Sequence, residues 1–75
     1  MKRIGEVARI AAGTIVARST DDTHPPIGTE VVDERLDGVG RVVDVMGPFE
    51  RPYVVITPES ESPPVALLNE PVYAR

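Results

Sequence analysis

Gly40-Arg41-Val42-Val43-Asp44-Val45-Met46-Gly47-Pro48-Phe49-Glu50-Arg51-Pro52-Tyr53-Val54-Val55-Ile56-Thr57-Pro58 is the stretch on which the reading of this chain turns. Two runs rich in valine and isoleucine flank a corner that holds Pro48 and Pro52. β-Branched residues suit extended backbone. Proline fixes φ and has no N–H for a ladder, so the corner is stiff and the runs read as the arms of a hairpin. Phe49 and Tyr53 are two of the three aromatics in the chain. A rigid corner carrying most of the aromatic surface is either a plug for the interior or a face on which another molecule docks.

Outward from the corner, the arm before it alternates. Val39, Arg41, Val43 and Val45 fall on one face and Gly40, Val42 and Asp44 on the other. Valine on both faces suits a strand wrapped within a small barrel. Thr29 to Asp33 reads as a short strand, followed by a turn around Leu36-Asp37-Gly38. Residues 2–10 and 14–18 read as a hairpin turning at Ala12-Gly13, with Gly5 marking a bulge or bend. A helix over 2–10 is the weaker reading, because Gly5 would fall in its first turn and Gly13 would end it at once. Ser19 to Gly28 is dense in turn formers and reads as a loop. Beyond the corner, Tyr53 to Thr57 is the most strand-like segment and Pro58 ends it. Glu59 to Pro64 is a polar, proline-rich loop, and Val65–Leu68 and Pro71–Tyr73 supply one or two last short strands. About six short strands separated by breakers, with no convincing helix, predict an all-β fold: a small six-stranded antiparallel barrel occupying residues 1–75 as one domain.

Composition narrows what such a barrel can do. At 75 residues only roughly 60% of the surface is buried on folding, so closure or a partner must supplement a thin core. The chain has no cysteine, which removes disulfides and thiolate metal sites. Twelve acidic residues face seven arginines and one lysine, for a formal net charge of −4 at pH 7. Nucleic-acid binders draw affinity from concentrated basic charge, and here the arginines are spaced apart with acids near most of them, so strong direct RNA binding is disfavoured. The opening residues carry no long apolar run, which predicts a cytoplasmic protein without a membrane segment.

Candidate chemistry is sparse. Asp21, Asp22 and His24 are ligand types, yet no second histidine or cysteine completes a transition-metal shell, and a solvated loop explains them. His24 is the only imidazole available to a Ser–His pair and lies in a proline-rich loop with no evident orienting group. Neighbouring carboxylates such as Asp33 and Glu34 would point to opposite faces if both were in a strand. Gly38 and Gly40 make a lone GxG followed by strand, where a phosphate loop needs a helix start. No catalytic residue, cofactor or metal is expected.

The motif Gly47-Pro48-x-x-x-Pro52-Tyr53-Val54-x-Ile56-x-Pro58 resembles the signature of the Gar subunit of archaeal H/ACA ribonucleoproteins, the guide-directed complexes that convert uridine to pseudouridine. Lys2-Arg3-Ile4-Gly5-Glu6-Val7 is similar to that family's opening strand. Asp33-x-Arg35-Leu36-x-x-Val39-Gly40-x-Val42-x-Asp44-Val45 is similar to the stretch entering its Gly-Pro corner. The likeness covers about residues 2–58 well and the tail through Glu70-x-Val72-Tyr73 more loosely. It implies a six-stranded barrel of the reductase/translation-factor type without catalytic residues. It also implies docking on the catalytic domain of the pseudouridine synthase subunit, contact with the guide RNA complex only indirectly, and help in substrate loading and product release. Relatives with basic extensions differ from this sequence, which has none.

The residues themselves also favour a protein-docking module. Met46, Gly47, Pro48, Phe49, Pro52 and Tyr53 form the candidate partner-binding set, because aromatic and methionine side chains on a pre-ordered corner bind at low ordering cost. The competing reading keeps Tyr53 and Met46 in the core and makes Phe49 a lid. A PRC-type barrel, a protein-interaction module in RNA processing, is the main rival. Glu30-Val31-Val32-Asp33 and Gly38-Val39-Gly40-Arg41-Val42-Val43-Asp44-Val45 resemble its central strands, but the Gly47 to Tyr53 corner and the proline-rich loops are left unexplained by it. An RNA-binding barrel resembling an OB fold would need exposed aromatics on a basic face, and the charge count opposes it.

Overall fold

Four of the strands form around runs of β-branched residues, Thr14-Ile15-Val16, Val31-Val32, Val42-Val43 and Val54-Val55-Ile56-Thr57, and glycine, proline or polar turns follow them. The computed structural model describes residues 2–11, 13–20, 24–47, 50–59 and 65–75. Its strands are β1 (Lys2–Ala11), β2 (Thr14–Ser19), β3 (Glu30–Val32), β4 (Gly38–Met46), β5 (Tyr53–Pro58) and β6 (Pro71–Ala74). They close into one antiparallel barrel in the order β1-β2-β5-β4-β3-β6. Closure leaves no strand of this sheet with an unpaired edge, which suits a chain too small to cover one.

The interior is aliphatic. Val7, Ile15, Val31, Val54, Ile56 and Val72 are fully buried and pack as one cluster. Each such side chain contributes about 1.5–3 kcal/mol relative to exposure. Both tyrosines are only half-buried, so the barrel is filled without an aromatic plug among the described residues.

Strict alternation does not survive along the strands, because the register skips single residues at Ile4 and Ala8 in β1 and at Val39 and Val43 in β4. These bulges correct the reading of β4. Val39 and Val42 both face inward, Val43 is exposed, and Asp44 is turned outward although it is two residues from Val42. A bulge adds one residue to one strand and thereby inverts the faces of all that follow. Gly5 sits where a bulge was expected and has a second reason to lack a side chain. A Cβ there would overlap the Arg18 carbonyl oxygen and lie 3.0 Å from the Ser19 Cα, so β1 and β2 approach closely only because none is present.

Two further segments depart from expectation. Val65–Leu67 is a single 3-10 turn and not a strand. Asn69 follows in a left-handed conformation (φ 67°), and its N–H donates to the Val7 carbonyl at 2.8 Å while Glu70 N–H donates to Leu67 O at 3.0 Å. Both backbone donors are thus directed into a turn against β1, and Leu67 packs on the core from there. The turn expected around Leu36-Asp37-Gly38 begins earlier, at Asp33, whose Oδ1 accepts from the N–H groups of Arg35 (2.8 Å) and Asp37 (3.0 Å). Asp33 and Glu34 therefore lie beyond β3, and the Asp33 carboxylate is engaged in holding this turn.

Candidate docking face

The outer surface over β1, β2, β5 and β4 can be read directly from the register. One row across the strands runs Glu6, Arg18, Tyr53, Met46. The row beside it runs Arg9, Val16, Val55, Asp44. Every one of these residues is exposed or half-buried, while the intervening Val7, Ala17 and Val54 are buried. The two ends of the second row face outward because of bulges. Had β1 paired residue by residue through Ala8, Arg9 would have followed Val7 into the barrel, and regular pairing through Val43 would have sent Asp44 after Val42.

Between the rows lies a shallow groove lined by Ala8, Arg9, Val16, Arg18, Met46 and Tyr53. Arg18 organises it: its Nη2 donates to the Tyr53 hydroxyl at 3.1 Å, and its guanidinium carbon lies over the Tyr53 ring, 5.5 Å from the centroid. Cation–π contact of this kind contributes about 0.5–1 kcal/mol at an exposed site and fixes the orientation of both groups. Met46 stands beside this pair, 52% exposed, with its polarisable thioether open to a partner.

Of the residues expected to form a partner-binding set, Met46 and Tyr53 are brought together as direct cross-strand neighbours at the mouth of the β4–β5 hairpin. Gly47 follows in a left-handed conformation (φ 97°), and a Cβ there would sit 2.9 Å from the Tyr53 ring. Glycine at this point therefore lets the chain turn away from β4 without displacing the tyrosine. Pro52 has a different part from the one expected. It is buried, and its carbonyl accepts from the N–H of the buried Ser19 at 3.0 Å. That carbonyl tethers the corner to β2, and the buried side chain offers little outer surface. Pro48 and Phe49 lie outside the described residues.

Sequence reading missed Arg9 and Arg18 as members of this face. Arg18 was legible, since Val16 and Arg18 alternate against buried Ile15 and Ala17. Arg9 was not, because only the bulge at Ala8 turns it outward. Elsewhere, His24 Nδ1 lies 3.1 Å from Pro25 O in the loop before β3, and Asp21 and Asp22 lie outside the described residues. No helix among the described residues is long and apolar enough to cross a membrane. The chain matches no protein-family model, and no curated protein matches its sequence.

Proposed function

We propose that this chain is a non-catalytic β-barrel subunit of an H/ACA ribonucleoprotein, docking on the catalytic domain of the pseudouridine synthase subunit. The observation that carries the reading is the corner itself. The segment that carries the motif links β4 to β5 in sequence, and the strand ends on either side present Met46 and Tyr53 side by side on the outer face. Methionine, tyrosine and arginine are the side chains that concentrate binding energy at protein interfaces. A closed barrel holds them pre-ordered, which lowers the cost of association. In this reading the chain supplies no reacting group. It binds the synthase domain and, through that contact, assists the loading of substrate RNA and the release of product, while the guide RNA is held by other subunits.

The test is retention of this chain on the immobilised synthase catalytic subunit from the same source, with RNA removed by nuclease. Retention is expected, and Met46→Ala should weaken it about tenfold or more with the β-type circular dichroism unchanged, because it removes the exposed apolar side chain that the synthase domain would cover. Absence of retention for the unaltered chain overturns the proposal.

A further inference from the structure

We infer that the Arg9–Arg18 groove is a receptor for an acidic, partly apolar segment of a protein partner, which places a carboxylate against the two guanidinium groups and an apolar side chain on Met46 and Tyr53. The inference rests on the docking function proposed above and adds the chemistry of what docks.

The argument is one of charge left without a counterpart. Among the described residues the ion pairs use Arg3 with Glu6, Arg35 with Asp33 and Asp37, and Arg75 with Glu30. Neither Arg9 nor Arg18 shares one. The two acids that border the groove are held elsewhere. Glu6, opposite Arg18 in register, has its carboxylate 3.2 Å from Arg3 Nη2, and Asp44 Oδ1 accepts from the Val45 N–H at 2.8 Å. Asp44 stands three strand spacings from Arg9, about 14 Å, too far for an ion pair. A chain with a net charge of −4 thus keeps two neighbouring arginines uncompensated at the β1–β2 end of a groove whose other end is the exposed Met46. The register shift at Ala8 is what leaves Arg9 on the outer face, opposite Val16.

The remainder of the chain selects the kind of anion. A nucleic acid brings successive phosphates along its backbone and gains affinity by having many neutralised. Laid across this face it would meet Glu6 and Asp44 within the same two rows. A protein carboxylate delivers one charge locally, accepts the planar fork of an arginine, and is followed by side chains that can cover Met46. The acidic surroundings then act as repulsion against misplaced contacts, which sets the register of docking.

The experiment is chemical-shift mapping of the ¹⁵N-labelled full chain at low salt with three probes: a soluble glutamate–tyrosine copolymer, its glutamine–tyrosine counterpart, and single-stranded oligouridylate. Saturable shifts confined to the amides around Arg9, Arg18, Met46 and Tyr53 are expected with the first probe only. Arg9→Glu with Arg18→Glu should weaken that binding about tenfold or more, since each exposed charge pair alone is worth a few-fold. Arg9→Lys with Arg18→Lys should retain a larger part of it and controls for folding. Absence of groove shifts with the glutamate copolymer, equal shifts with the glutamine copolymer, or preferential saturation by oligouridylate each overturns the inference. The outcome is separable from that of the docking proposal. A charge-reversed chain still retained by the synthase subunit would refute the groove and leave docking intact. Copolymer binding without synthase retention would do the reverse.

Discussion

Replacing Gly5 by alanine should come close to unfolding this protein. The added Cβ overlaps the Arg18 carbonyl oxygen, lies 2.7 Å from the carbonyl carbon and 3.0 Å from the Ser19 Cα. All three are backbone atoms, so no rotamer change relieves the contact. Carbon atoms need about 3.5 Å or more, so β1 and β2 must separate by about 1 Å, which takes adjacent ladder bonds beyond hydrogen-bonding length. Two weakened bonds at about 1 kcal/mol each, with overpacking strain of about 1–3 kcal/mol, give a loss of about 3–5 kcal/mol. A domain of this size has about 4–11 kcal/mol in total. Thermal unfolding followed by circular dichroism should show a fall in Tm of at least about 12 °C. Because Ser19, the partner of Gly5, also holds the Pro52 carbonyl, the amide resonances of Tyr53 and Met46 should shift in any folded fraction. Gly13→Ala is the contrast. Gly13 has φ 73° with nothing within 4 Å of its Cβ position, so only the left-handed conformation is penalised, by about 1–2 kcal/mol. A Gly5 variant that loses less than the Gly13 variant would refute the close-approach argument.

Three other outcomes follow from the same geometry. Ile56→Ala empties the centre of the core, where the side chain is fully buried, and should lower stability by about 2–5 kcal/mol in urea unfolding. Leu36 is 56% exposed and held at φ 69°; Leu36→Asn replaces it with a residue that tolerates that conformation and should raise stability by about 0.5–1 kcal/mol, read as a higher urea midpoint. Tyr53→Phe removes the acceptor of the 3.1 Å bond from Arg18 and should cost no more than about 1 kcal/mol in stability, while weakening retention on the synthase subunit because Arg18 is no longer oriented.

The strands were legible because β-branched runs and breakers occur at the same places as the observed ends; β2 and β5, for instance, extend by one residue beyond their expected limits at Ser19 and Pro58. What escaped was register. Counted residue by residue, Val39 through Asp44 put valine on both faces, and nothing in that pattern marks Val43 as the extra residue, since a bulge is chosen by the partner strand β5 as much as by β4 itself. The same holds for Ala8 and hence for Arg9. Val65–Leu67 has strand-like composition, yet its neighbours bond to β1 through Asn69 and so close a turn. At the corner, the sequence showed a stiff element but not which way each ring points. Tertiary packing placed Met46 outside and Pro52 inside.

The ring is not equally strong around its circumference. β6 lies between β1 and β3, and its seam with β3 has two cross-strand pairs, Val31 with Ala74 and Val32 with Tyr73. Arg75 clasps it through its N–H to the Glu30 carbonyl at 3.0 Å and a guanidinium–carboxylate contact of 3.8 Å. Every other stave is formed by segments that precede β6, so the circle can be completed only once β6 itself has been synthesised. Until then β1 and β3 are both raw edges, able to capture the β6 of another chain. The short seam therefore sets a kinetic contest between closing on itself and exchanging strands with a neighbour. Dilution favours the monomer in that contest, and crowded nascent chains favour the exchange.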